Sequence, residues 1–263
     1  INKKSGKGRN KVAVTAAEEE PSFDPTQISD LVLWLDGDDA DSITYDAGDG
    51  NKVSQWNDKS GAGSHLVQAT SSQQPVYVAS GGVLGKGHIS SAGTSGDEKY
   101  LENTNFPESG TGGSYAYQTV FAVFSVSNPS TSKTQQFFHY VTNDPGSTGL
   151  SAKSTIIMFH AGSVLVGDGS GTALSANTKY LGMARWLKYP SGLQTYLNGA
   201  LDVQTSARRG SHYLTGNDSI RVARSPNEQN SQLLGEVIVY KRTLTDAEVD
   251  QVEAYLNDKW SIY

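Results

Sequence analysis

The sequence has no cysteine, which excludes a disulfide framework and any metal site built on thiolates. No apolar run approaches the roughly 18 residues a membrane-crossing helix needs, and no signal-type apolar stretch lies near the start. Histidine is scarce. The five, His65, His88, His139, His160 and His212, fall in separate segments without the paired spacing of a zinc helix. No G-x-S-x-G elbow supports a serine nucleophile. The first residue is Ile1 rather than methionine, so the chain is expected to be partial or processed.

What is present is short runs of Val, Ile, Tyr and Phe separated by Gly, Ser, Asn and Asp clusters, the pattern of a sandwich or barrel. No biased linker divides the 263 residues, so one domain is expected. In Leu31 to Leu35 apolar residues occupy both pleat faces, as in a strand covered on both sides. Thr119 to Val126 is the strongest strand signal for the same reason. Further strands are predicted at Val53–Trp56, Pro75–Val78, Gln136–Thr142, Ser154–His160, Lys179–Trp186, Gly192–Leu197, Ala200–Gln204, Ser219–Ala223 and Leu234–Tyr240. Asn143-Asp144-Pro145-Gly146 reads as a turn, and Asn198-Gly199 as a type I′ hairpin. Asp36 to Asp41 reads as an acidic turn opening a long polar loop. One helix is predicted, over 246–259: Thr245 caps it, Glu248 completes a capping box, and Val249, Val252 and Leu256 share a face.

Residues 1–27 differ in composition from the rest. Lys3, Lys4, Lys7, Arg9 and Lys11 give the first twelve residues a charge of +5, leaving 16 basic residues against all 27 acidic ones in the remainder. Such a segment reads as a solvated tail or as an arm that docks on an acidic partner surface. It lacks the interleaved aromatics of a nucleic-acid binder.

Three stretches carry a family resemblance. The run WLDGDDADSITYDAGDGNKVSQWNDKSGAGSHLVQAT is similar to the opening of the laminin-G-like, concanavalin A-like lectin/glucanase domains of bacterial and phage proteins. Gly93 to Leu101 resembles that family's F-D-G-x-x-D-Y-L edge, with the initial aromatic and aspartate replaced. Leu234-Gly235-Glu236-Val237-Ile238-Val239-Tyr240, then Leu244 to Glu248 and Trp260, resemble its closing strand and helix. The resemblance covers Ile28 to Tyr263. It implies an all-β, two-sheet jelly-roll sandwich over 28–263, with one C-terminal helix and an extended N-terminal arm over 1–27.

The same resemblance frames the chemistry. Glucanases of that fold carry several carboxylates on one strand, so that acid and nucleophile are held a few ångströms apart. Here Glu236 is the lone carboxylate in a strongly strand-like segment, and no catalytic residues are assigned. Relatives often bind calcium, and Asp36, Asp38, Asp39 and Asp41 are the candidate ligands, although an EF-hand loop would place Ala47 where it needs a bidentate Glu. A solvated acidic turn accounts for them as well. For glycans, Trp186, Tyr189, Tyr196 and Asn198 could supply stacking faces and amides, but a buried core or hairpin role is the stronger reading of each.

The expectation is a non-catalytic structural or adhesive module of a larger assembly. It would contact other subunits through residues 1–27, on a phage virion surface as capsid decoration or tail component. A lectin-like carbohydrate-binding module of a bacterial surface or secreted protein is the alternative, and a glycoside hydrolase is third.

Overall fold

The computed structural model describes residues 23–92, 98–106, 118–129, 135–141, 148–153, 156–161, 164–166, 171–187, 192–205, 219–225 and 232–263. In chain order the described strands are β1 (Leu31–Asp36), β2 (Ile43–Asp46), β3 (Asp49–Trp56), β4 (Leu66–Val67), β5 (Val76–Val78), β6 (His88–Ser90), β7 (Lys99–Asn103), β8 (Thr119–Val126) and β9 (Gln135–Val141). There follow β10 (Thr148–Lys153), β11 (Ile156–Ala161), β12 (Val164–Val166), β13 (Lys179–Trp186), β14 (Leu193–Leu197), β15 (Ala200–Thr205), β16 (Ser219–Ser225) and β17 (Gln232–Tyr240), then one helix, α1 (Asp246–Trp260).

All described pairings are antiparallel and form two sheets. The front sheet runs β15-β14-β13-β8-β17, and β17 then pairs with β1 along its second half and with β6 at its start. The back sheet runs β2-β3-β4-β7-β16-β9-β10-β11-β12. Strand β3 bridges them through its pairing with β5. The inner faces meet in one apolar core containing Leu33, Leu35, Val53, Trp56, Leu101, Phe124, Phe138, Tyr140, Val222 and Val237. The expected all-β sandwich with one C-terminal helix is present.

A second apolar layer lies on the outer face of the front sheet, where α1 packs Val249, Val252, Leu256 and Trp260 against Trp34, Phe121, Val123, Met183 and Ile238. This explains the strands without polar alternation: every residue of β8 is buried, because the core takes one face and the helix the other. The capping box forms as expected. Thr245 N–H donates to Glu248 Oε2 at 2.9 Å, and Glu248 N–H donates to Thr245 Oγ1 at 3.3 Å. The helix ends at Trp260, one residue beyond the expected end, and Ser261 caps it in the left-handed conformation.

Two expectations change. The stretch after Asp36 is not one long loop: a 3-10 turn at Ala40–Ser42, with the Asp39 side chain accepting from Asp41 N–H, leads into β2, which pairs with β3. The globular body starts before residue 28. The Phe23 ring meets Tyr255 at 6.0 Å, and Tyr240 Oη donates to the Pro25 carbonyl at 2.9 Å. Lys3, Lys4, Lys7, Arg9 and Lys11, the Asn143 to Gly146 turn and Gly93 to Asp97 lie outside the described residues.

Candidate functional site

The outer face of the back sheet is not covered by the helix, and its strands carry an ordered polar array. Along β7, Leu101 points into the core, so Tyr100 and Glu102 point out; along β16, Ile220 and Val222 point in, so Arg221 points out. Cross-strand register then places Gln55, Val67, Glu102, Arg221 and His139 in one lateral row. The Arg221 guanidinium lies 4.1 Å from the centroid of the Tyr100 ring. Its Nε is 3.5 Å from Glu102 Oε1, and Nη1 is 3.9 Å from Glu98 Oε2.

A backbone irregularity doubles the array. Ala223 has φ of 55° although it is not glycine, and the register with β7 shifts between Val222 and Ser225. The extra residue turns Arg224 outward on the same face as Arg221. Arg224 donates from Nη1 to Gln136 Oε1 at 2.6 Å and pairs through Nε with Glu98. The four charged side chains are 21–27% exposed, which leaves them held by one another yet open to a ligand. Val67, 48% exposed beside Glu102, adds an apolar contact. The face therefore offers a flat guanidinium plate, carboxylate and amide acceptors and a methyl surface, with two positive and two negative charges in balance. Such a surface matches the alternating donors and acceptors of a polyhydroxylated ligand and gives no net field to attract a polyanion.

The second polar assembly is interior. Asp36 on β1 and Glu236 on β17 stand directly opposite one another. Glu236 is fully buried, and both its oxygens are satisfied. Oε1 accepts from Trp34 Nε1 at 2.7 Å and Tyr255 Oη at 2.9 Å, and Oε2 from Trp260 Nε1 at 2.7 Å, with Lys259 Nζ 2.9 Å away. Asp36 Oδ1 takes Lys259 at 2.6 Å and Oδ2 takes Lys59 at 2.8 Å; Lys59 also reaches Asp39 at 2.7 Å. Gly235 permits this arrangement, because a Cβ there would come within 2.8 Å of the Trp260 ring. Burial pushes the Glu236 carboxyl above its ordinary range, with the Lys259 charge opposing. At Asp36 burial acts in the same sense, but Lys259 and Lys59 outweigh it and hold the group below its ordinary value. Burial and the Glu236 charge keep the Tyr255 phenol protonated.

The residues expected to bind calcium do not converge. Asp36 is consumed by two lysines, Asp38 pairs with Lys86 at 2.9 Å, Asp39 caps the 3-10 turn and holds Lys59, and Asp41 is exposed. No group of three acidic or histidine side chains is placed to hold a metal among the described residues. Asp36, Asp38 and Asp39 are instead engaged by lysines that fasten the loop. The expected glycan residues do not share a surface either. Trp186 lies in the inter-sheet core and is 2% exposed, whereas Tyr196 packs on the opposite, helix-covered face beside Arg185. Asn198 has φ of 51° and Gly199 of 75° in the expected hairpin, and Asn198 Oδ1 accepts from Leu181 N–H at 2.9 Å. Tyr189 lies outside the described residues.

The motif residues themselves are structural. Asp58 of the W-N-D-K-S-G segment is a loop organiser: Oδ1 accepts from the amides of Trp34 and Ser60 at 2.9 Å, and Oδ2 from Ser64 N–H at 2.9 Å. Sequence reasoning missed Tyr100, Glu102, Arg221 and Arg224, although the alternation in Lys99–Asn103 and Ser219–Val222 marks the outward positions.

No family model matches the chain, and no curated protein matches it in sequence. Solved structures match it in fold. The binding domain of Paraclostridial Mosquitocidal Protein 1 aligns at 14% identity with a TM-score of 0.57, over 89% of this chain and 54% of its own. The binding domain of botulinum neurotoxin DC in complex with SialylT aligns at 10% identity and a TM-score of 0.53, over 89% of this chain and 52% of its own. The Trypanosoma rangeli sialidase in complex with the inhibitor DANA aligns at 13% identity and a TM-score of 0.50, over 85% of this chain and 32% of its own. The chain spans about half the length of the toxin domains.

Proposed function

We propose that this chain is a non-catalytic recognition module, a concanavalin A-like jelly roll of laminin-G type, that binds glycans through the outer face of its back sheet. The observation that carries the reading is the array of Tyr100, Glu102, Arg221 and Arg224. A bulge at Ala223 turns Arg224 outward beside Arg221 on one sheet face, and rigid polar groups bind without paying for their own ordering. Toxin binding domains, one of them in complex with SialylT, share the fold and support a recognition role by analogy. Glycosidase chemistry is disfavoured because Glu236, the strand carboxylate, is sealed and saturated with donors, whereas an acid–nucleophile pair must flank an open scissile bond.

The module serves a larger assembly, attached through its basic N-terminal residues. The lack of cysteine suits a virion assembled in a reducing cytoplasm. Among the described residues no helix is long and apolar enough to cross a membrane. The test is a glycan array carrying sialylated and unsialylated oligosaccharides, probed with the parent protein and with Arg221→Ala and Tyr100→Ala. Binding by the parent that falls at least tenfold in both variants, with melting temperature retained, supports the reading. Absence of binding by the parent, or full binding by both variants, overturns it. Release of reducing ends from a bound glycan overturns the non-catalytic part.

A further inference from the structure

The Asp36–Lys259–Glu236 cluster has the parts of a self-forming covalent cross-link, and we infer that Lys259 Nζ condenses with the Asp36 carboxyl to an isopeptide bond, with Glu236 relaying the protons. Lys259 Nζ touches both acids, 2.6 Å from Asp36 Oδ1 and 2.9 Å from Glu236 Oε2. Lys59 sits on the other Asp36 oxygen at 2.8 Å and also holds Asp39. Lys59 therefore polarises the carboxyl from the side away from the nucleophile. The carboxylates and indole rings are nearly dry, Glu236 being 0%, Trp260 1%, Asp36 5% and Trp34 6% exposed, while the Lys259 side chain is 17% exposed. Three aromatic side chains, Trp34, Tyr255 and Trp260, each bond Glu236 and fix the relay in place.

The step balances within the cluster. Lys259 enters as an ammonium and Asp36 as a carboxylate. The ammonium passes one proton to Glu236, and the free amine attacks the Asp36 carbonyl carbon, forming the C–N bond. One Asp36 C–O bond breaks, and the departing oxygen leaves as water carrying two protons from the former ammonium, one of them delivered by Glu236. Glu236 returns to the carboxylate. No oxidant, nucleotide or metal is consumed. Burial, which raises the Glu236 carboxyl, favours its taking a proton from the neighbouring ammonium. Condensation also replaces a buried ion pair, whose desolvation is costly, with a neutral amide.

The product would tie the end of β1 to the end of α1. These lie 223 positions apart in sequence although they touch in space, so the link would close a loop around nearly the whole domain and restrain its unfolded chain. A recognition module under mechanical load gains from such a clasp, but the chemistry does not depend on the binding role. Intact-mass spectrometry of the purified full chain decides it. The parent should be lighter than its sequence mass by one water, about 18 Da, and a tryptic digest should contain one branched peptide joining the Asp36 and Lys259 segments. Lys259→Arg, which keeps the charge, and Glu236→Gln should each return to the full sequence mass. A parent at full sequence mass with linear Lys259 peptides overturns the inference, and a branch at Lys59 overturns the assignment of the nucleophile.

Discussion

Replacing Glu253 by glutamine should abolish a stability loss that the parent suffers as pH rises. Glu253 lies on the buried side of α1, 6% exposed, and its Oε1 has no hydrogen-bond partner among the described residues. Burial, reinforced by Asp250 and only partly opposed by Arg185, raises its carboxyl from the ordinary 4.5 to about 7. An acid whose folded value exceeds its unfolded value is bound more tightly by protons in the native state. Its contribution is therefore intact below pH 4.5, declines between 4.5 and about 7, and is lost above that. The full displacement corresponds to about 3 kcal/mol. Urea denaturation at pH 5 and pH 8 would measure it: the Glu253→Gln variant should be more stable than the parent at pH 8 by about 2–3 kcal/mol and much closer to it at pH 5. An equal difference at both pH values would refute the reasoning, because a packing effect has no titration.

Two further substitutions probe the helix and its seat. Glu248→Ala removes the capping box and the bidentate pair with Arg242, 2.9 and 2.6 Å, so denaturant midpoints at pH 7 should show a loss of about 1–2 kcal/mol. Because Arg242 lowers the Glu248 carboxyl to about 2, that stabilisation is present above pH 4.5 and fades as pH falls toward 2. Gly235→Ala drives a methyl to within 2.8 Å of the Trp260 ring and should cost about 1–3 kcal/mol in the same assay, with Trp260 fluorescence altered.

The parts of the fold legible in the sequence were those where one residue type dominates a stretch. Thr119–Val126 has no polar alternation because two apolar layers cover it, and Thr245 with Glu248 announces the helix start. The short strands were not legible. β4 is two residues, Leu66 and Val67, ordered by pairing with β3 and β7 rather than by propensity. Asp36 was read with the acidic turn, yet the alternation of Leu33 and Leu35 into the core puts it on the same face as Trp34, beneath the helix. That face meets Glu236 and Lys259 across more than 200 positions of sequence, a contact no local pattern encodes. Tyr100, Glu102 and Arg221 escaped attention for the same reason: each looks like an ordinary solvent-side strand residue until β7 and β16 are paired.

Backbone amide chemical-shift mapping during titration with a sialylated oligosaccharide most directly tests recognition through the back sheet. The account predicts saturable shifts clustered at Val67, Tyr100 to Asn103 and Arg221 to Arg224, absent in Arg221→Ala. Shifts centred on α1, on the Asn198-Gly199 hairpin or on the Asp36 to Asp41 segment, or none at millimolar ligand, would contradict it.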